Sequence, residues 1–237
     1  MARILVLVPA AGGGSRFGAA TPKQYAMLDG VPVLARTLAR LRAGLDPAAI
    51  FVALAPEDRE FDRMGPRHEG ITALRCGGET RAQTVANALA AMAPECADDD
   101  WLLVHDAARP CVPTDALVRL VEHLRHDPVG GLLAIPVADT LKRSDREADA
   151  PRVLATEPRA HLWLAQTPQM FRCSVLRRAI AAPAAASCTD EAQAVEALGL
   201  KPRLILGSPE NLKITYPADL VLAAAILSTQ KHEERTQ

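Results

Sequence analysis

The chain has 237 residues, 49% of them hydrophobic, and 27 basic against 28 acidic side chains give it a formal net charge of -1. That length can bury a sizeable core, and a single α/β domain of this size is ordinary. A balanced charge excludes a global field that would recruit nucleic acid or an anionic membrane, so any anion must be held by local groups. Cys76, Cys96, Cys111, Cys173 and Cys188 are scattered and contain no C-x-x-C pair. This pattern predicts reduced thiols in a cytoplasmic protein rather than a disulfide framework or a zinc cage. No apolar run is long enough to span a membrane, and the first residues carry no export signature.

In chain order, strand-like runs alternate with segments of helical period. RILVLV precedes VPVLARTLARL, AIFVALA precedes EDREFDRM, ITALRC precedes TRAQTVANALAAM, and WLLVHD precedes PTDALVRLVEHL. That alternation predicts a mostly parallel sheet covered by helices. In the fourth helical segment Leu117, Leu120, Val121 and Leu124 follow the spacing of one buried face, and Pro113 with Thr114 supplies a start signal. After GGLLAIPV the rhythm breaks. TLKRS and RVLATE can pair across the DREADAP turn, which predicts a hairpin arm over residues 138–159, with a disordered surface loop as the alternative. Order resumes with LWLAQTPQMF, two helical segments, PRLILGS and a closing helix from Pro217 to Ser228. One domain is expected over residues 1–230, with a flexible tail at 231–237.

The richest stretch is LVPAAGGGSRFGAATPKQY, residues 7–25, where a strand runs into consecutive glycines followed by Arg16 and Lys23. A dinucleotide-binding G-x-G-x-x-G would need glycine where Phe17 stands, and a Walker loop would need G-K-[ST] where Gly18 is followed by Ala19 and Ala20. A plain chain reversal would need neither cation. Side-chain-free backbone after the first strand of a parallel sheet can aim amides at phosphate oxygens, which points to a bound triphosphate.

P-A-A-G-x-G-x-R followed by P-K-Q-Y resembles the Rossmann-like nucleotidyltransferases, and within them the 2-C-methyl-D-erythritol 4-phosphate cytidylyltransferases of non-mevalonate isoprenoid synthesis. The resemblance continues through CGGETRAQTV, VHDAARP, PVADTLK, RAHLWLAQTPQMF, TDEA and NLKITYPADL, collinear over nearly the whole chain. It implies a three-layer α/β domain with a protruding β-hairpin arm. It also implies transfer of the cytidylyl group of CTP to the sugar phosphate, with Mg²⁺ or another divalent cation, in a homodimer joined through the arm.

The resemblance further implies residue roles. Arg16 and Lys23 would stabilise the anionic transition state, which suits a reaction whose phosphate nucleophile needs no general base. Pro9, Ala10, Ala11, Gly12, Gly14, Gly78, Glu79, Thr84 and Ala108 would bind the nucleotide, with Thr84 standing where the family usually has Ser. For Glu79 an exposed first-turn helix acid is an equal reading. Asp106, Arg109, Thr140, Arg159, Thr167 and Lys213 would surround the second substrate, with Arg159 and Lys213 gripping its phosphate. The metal would be held mainly by CTP phosphates, with Asp106 a further candidate. His105 is expected to pack structurally. Rival readings are a cytidylyltransferase for ribitol 5-phosphate or another polyol phosphate, a nicotinamide-dependent dehydrogenase, and a non-catalytic nucleotide sensor.

Overall fold

The computed structural model describes residues 2–13, 17–18, 22–68, 70–145 and 150–234. The first half contains β1 (Ile4–Pro9), the short β2 (Met27–Leu28) and β3 (Val31–Pro32), α1 (Val33–Leu45), β4 (Ala49–Ala53), β5 (Ile71–Leu74), α2 (Arg81–Ala91), β6 (Trp101–Val104) and α3 (Thr114–Leu124). The second half adds β7 (Gly130–Pro136), β8 (Leu141–Ser144), β9 (Val153–Glu157), β10 (Trp163–Arg172), α4 (Cys173–Ala181), α5 (Glu191–Glu196), β11 (Arg203–Leu206) and α6 (Asp219–Glu234).

Seven strands form one sheet in the order β11-β7-β10-β6-β1-β4-β5. β1 runs parallel to β4 and β6, β4 to β5, and β7 to β11, whereas β10 is antiparallel to both of its neighbours. Successive side chains of a strand point to opposite faces, so β1 feeds two cores. Val6 and Val8 join Leu34, Leu38 and Leu41 of α1 and Leu117, Leu120 and Leu124 of α3. Leu5 and Leu7 join Val85 and Leu89 of α2, Leu176 of α4 and Val195 of α5. A third cluster seats Ala223 and Leu227 of α6 against Val33, Cys111 and Ile214. The result is the helix-covered, mostly parallel sheet that the alternation of runs predicts and the three-layer arrangement that the resemblance implies, with Val121 of α3 only partly buried at the edge of its face.

Among the described residues β8 and β9 pair only with each other, Leu141 opposite Glu157 and Arg143 opposite Ala155. The expected hairpin is therefore present within 138–159, and it stands apart from the main sheet.

Three expectations need correction. EDREFDRM was expected to be helical, but only a short 3-10 segment, Asp62–His68, forms there, interrupted by Gly65 at φ 61°. Phe61 and Met64 bury themselves without a full helix. The closing helix does not end near Ser228, and the expected tail is helical as far as Glu234, because buried Gln230 anchors it by donating to Cys111 O at 3.0 Å and Glu210 Oε2 at 2.7 Å. Finally, the cysteines are not all reduced. Cys96, after α2, and Cys173, at the start of α4, form a buried disulfide across 77 residues of sequence, while Cys76, Cys111 and Cys188 are free thiols.

Candidate active site

Ligands of open α/β sheets bind beyond the carboxyl ends of the strands. Here the segments following β1, β5 and β6 converge on one cleft, lined by Pro9, Ala10, Ala11, Gly12, Lys23, Gln24, Gly78, Glu79, Thr80, Arg81, Thr84, Asp106, Ala107, Ala108 and Lys213.

The first wall is the glycine loop. Ala10 donates to Ala53 O at 2.7 Å, which continues the sheet pairing one residue past β1. Gln24 then fastens the loop from the outside, donating through Nε2 to Ala10 O at 2.7 Å and Gly12 O at 3.1 Å. Among the described residues, the amides of Ala11, Gly12 and Gly13 have no hydrogen-bond partner. With the carbonyls of Ala10 and Gly12 pinned and the N–H groups of Ala11, Gly12 and Gly13 unused, this stretch has the backbone dipoles suited to an anion-binding concavity. A Cβ at Gly12 or Gly13 would meet nothing within 4 Å, so packing inside the protein does not require glycine at either position. Lys23 stands beside this wall, its Nζ donating to Ile214 O at 3.1 Å. Gly14 and Arg16 lie outside the described residues.

The second wall is the turn entering α2. A Cβ at Gly77 would fall 2.4 Å from Ala11 Cβ and 2.8 Å from Leu54 O, so glycine is required for this turn to lie against the first wall. Thr84 is buried and fully occupied. Its hydroxyl donates to Thr80 O at 3.0 Å and accepts from Gly78 N at 3.1 Å. It braces the turn, which leaves Gly78 and exposed Glu79 to present the surface there.

The floor is the segment after β6. Asp106 places Oδ2 2.8 Å from Lys213 Nζ and 3.4 Å from Arg109 Nε, and Oδ1 3.3 Å from Arg81 Nε. Burial alone would raise this carboxyl's pKa, but the charges of Arg81, Lys213 and Arg109 outweigh it and hold Asp106 well below the usual carboxylate range. Beneath it, a chain of hydrogen bonds fixes the turn. Arg109 O lies 3.1 Å from His105 Nε2, which must be the donor, so Nδ1 accepts from the Thr167 hydroxyl at 3.1 Å. Thr167 Oγ1 in turn accepts from Asp106 N at 3.0 Å. His105 is fully buried, and burial pushes its pKa down to about 4, so it is neutral at physiological pH. The segment carrying Lys213 is tied to the same turn, Ile214 N donating to Ala108 O at 2.8 Å and Arg109 Nη1 to Asn211 O at 2.6 Å.

The structure thus brings together Pro9, Ala10, Ala11, Gly12, Lys23, Gly78, Glu79, Thr84, Asp106, Ala108 and Lys213. Arg109 and Thr167 lie behind the cleft lining as supports of Asp106, and Thr167 spends its only proton on His105. Thr140 and Arg159 are exposed on the arm and do not reach the cleft of their own chain. Sequence reasoning missed Gln24, Arg81 and Glu191. All three sit inside quoted motifs, P-K-Q-Y, C-G-G-E-T-R-A-Q-T-V and T-D-E-A, whose family resemblance was the available signal.

The sequence matches, over residues 4–229, the family described as IspD, 2-C-methyl-D-erythritol 4-phosphate cytidylyltransferase. The chain belongs to this cytidylyltransferase family. The protein of that name from Laribacter hongkongensis is 56% identical, covering 96% of this chain and 97% of its own length. That from Dechloromonas aromatica is 54% identical over 98% of this chain and 100% of its own. Among solved structures, a 4-diphosphocytidyl-2C-methyl-D-erythritol synthase superposes with a TM-score of 0.84 at 39% identity, covering 96% of this chain and 99% of that one. The Francisella tularensis cytidylyltransferase follows with a TM-score of 0.80 at 35% identity, covering 95% of this chain and 100% of its own. A cytidylyltransferase cleft accounts for unused amides on one wall and cations around a single carboxylate on the floor, an arrangement that a dehydrogenase site would not need.

Proposed function

We propose that the protein transfers the cytidylyl group of CTP to 2-C-methyl-D-erythritol 4-phosphate, releasing pyrophosphate, as a step of isoprenoid precursor synthesis. The observation that carries this reading is the pairing, across one cleft, of the unused amides of Ala11 and Gly12 with the ammonium groups of Lys23 and Lys213.

The reaction forms a bond between an acceptor phosphate oxygen and the α-phosphorus of CTP and breaks the bond to the β-phosphate, whose oxygen leaves with the electron pair as pyrophosphate. A phosphate dianion is already nucleophilic, so catalysis rests on alignment and on positive charge at a crowded anionic transition state. The amide wall holds the triphosphate, and Lys23 with Arg16 neutralises charge that builds around the α-phosphorus. Lys acts as a movable point charge, whereas Arg can fork two oxygens. The backbone of Ala10, Ala11 and Gly78, with Pro9, Glu79 and Ala108 alongside, frames the cytidine. Lys213 grips the acceptor phosphate, and Asp106, anionic and rigidly oriented, directs Lys213 and meets the acceptor's hydroxyls.

Among the described residues no group of His, Cys, Asp and Glu side chains could cage a metal ion. Both Asp106 oxygens already face cations. These residues fit a divalent ion held chiefly by the nucleotide's own phosphates, with Asp106 giving at most one contact, and such an ion would neutralise phosphate charge.

The arm suits a second copy of the chain. Val153 and Leu154 are 63% and 64% exposed on a hairpin with no further partner strand among the described residues, and Leu162, Trp163 and Leu164 are exposed as well. In a homodimer of single-domain subunits, Thr140 and Arg159 would complete the neighbour's acceptor site. No helix among the described residues is long and apolar enough to cross a membrane. A cytoplasmic location follows from the nucleotide substrate.

Pyrophosphate release from CTP tests the reading. It is expected with 2-C-methyl-D-erythritol 4-phosphate, and preferential release with ribitol 5-phosphate would move the substrate assignment. CTP binding without release in the presence of any polyol phosphate would make the protein a sensor.

A further inference from the structure

Opposite Lys213, Asp106 faces a charged pair made by Arg81, which lines the cleft at the start of α2, and Glu191. Glu191 opens α5 with a side chain only 2% exposed. Its two oxygens take both ends of the Arg81 fork, Nη1 to Oε1 at 2.6 Å and Nη2 to Oε2 at 3.0 Å. Only Arg81 Nε is left to face Asp106 Oδ1, at 3.3 Å, so Oδ2 falls to Lys213 and Arg109. The carboxylate's loyalties are divided by where Glu191 holds the guanidinium.

The anchor of Glu191 is itself rigid. Asp190 caps α5 by accepting from Gln193 N at 2.9 Å, and Gln169 of β10 donates to Asp190 Oδ2 at 2.9 Å while accepting from Ala192 N at 2.7 Å. Arg81 is held from the other side as the first residue of α2, behind the Thr80 cap. Buried Glu–Arg pairs add little net stability over apolar packing of the same shape, so the value of this one is geometric. Without the Glu191 charge, the best partner left for the fork is the pair of oxygens on Asp106, because guanidinium and carboxylate favour bidentate pairing. Arg81 would then compete with Lys213 for Oδ2.

We propose that Glu191, acting through Arg81, is a positioning residue that sets the orientation of Asp106 and so keeps Lys213 placed for the acceptor phosphate. This rests on the assignment of Lys213 and Asp106 to the acceptor half of the cleft, and two separate measurements distinguish its failure from a failure of that assignment. In a crystal of Glu191→Gln, Arg81 is expected to chelate Asp106 and Lys213 Nζ to move out of hydrogen-bond reach. In kinetics, Glu191→Gln is expected to raise the acceptor KM about tenfold, roughly 1.4 kcal/mol, while the CTP dissociation constant stays within about twofold. Arg81→Lys, which keeps the charge but lacks the fork, serves if Glu191→Gln does not fold, and should raise the same KM. Combining Glu191→Gln with Arg81→Lys should cost no more than the worse single change, because the two act as one unit. An unmoved Lys213 in the crystal, or an acceptor KM that is unchanged or rises only in step with the CTP dissociation constant, overturns the proposal. If the wild-type enzyme uses no polyol phosphate, the functional reading fails instead and the crystal still decides the positioning.

Discussion

His105 shows how much a single buried side chain can order. Its ring accepts from Thr167 and donates to the carbonyl of Arg109, so protonation of Nδ1 would break the bond that leads to the Asp106 amide. Because the folded state holds its pKa near 4, below the ordinary value of 6.5, the unfolded chain binds a proton at pH 5 that the folded chain refuses. Stability is therefore expected to be fully present above about pH 6.5, to fall by up to about 3 kcal/mol as the pH drops toward 4, and to lose nothing more from this group below that. His105→Asn retains an acceptor for Thr167 and does not titrate. The stability difference between the variant and the wild type, followed by denaturant unfolding from pH 7 to 4, should shrink across that window. A pH-independent difference would show that folding leaves the His105 pKa at its ordinary value. The sequence placed His105 as a packing residue, which is correct as far as it goes, but its hydrogen-bond partner Thr167 lies 62 residues away and has no local signature.

At the scale of elements, the glycine loop was legible because its chemistry is local: a strand, side-chain-free backbone and nearby cations. Gly12→Val separates ligand from fold. The added Cβ meets nothing in the protein within 4 Å, so thermal stability should hardly change. CTP affinity by calorimetry should fall at least tenfold, about 1.4 kcal/mol, because the side chain enters the space before the unused amides. Unchanged affinity would reduce the loop to a turn. The parallel strands and α1 to α3 were legible through their apolar periodicity, and the hairpin through its polar flanks and turn. The antiparallel course of β10 was not, because direction within a sheet depends on which neighbours a strand meets, Val104 beside Gln169 and Leu132 on the other side. The disulfide and the extension of α6 were hidden for a related reason. Each is decided by contacts between distant segments, Cys96 with Cys173 and Gln230 with Cys111, that no spacing rule encodes.

At the scale of the whole molecule, one chain leaves its cleft without two of the residues the sequence assigns to it. Thr140 and Arg159 stay exposed at the root of an arm whose strands, among the described residues, pair with no other strand. An arm of exposed apolar side chains suits a partner surface, and in the proposed two-fold dimer each subunit's Arg159 would reach the other's cleft. Deletion of Asp145 to Pro151 should then be tolerated, because β8 and β9 keep their pairing through Lys142, Arg143 and their partners Thr156 and Ala155. Removal of the whole hairpin should leave a weakly active monomer. Lys23→Ala should cost turnover roughly 10² to 10³, about 3 to 4 kcal/mol, as loss of one preorganised donor does elsewhere. Arg159→Ala should spare the dimer and CTP binding and mainly weaken use of the acceptor. Mixing these two variants makes the geometry testable. If Arg159 serves the neighbouring cleft, a mixed dimer concentrates both lesions in the cleft of the Lys23→Ala subunit, since its Arg159 comes from the Arg159→Ala partner. The other cleft then has Lys23 from its own chain and Arg159 from its neighbour. Subunit exchange should restore activity toward half that of the wild type per mixed dimer. Mixed dimers verified by mass spectrometry that stay inactive would mean that Arg159 acts within its own subunit or at no site, and the arm would then be a dimerisation element alone.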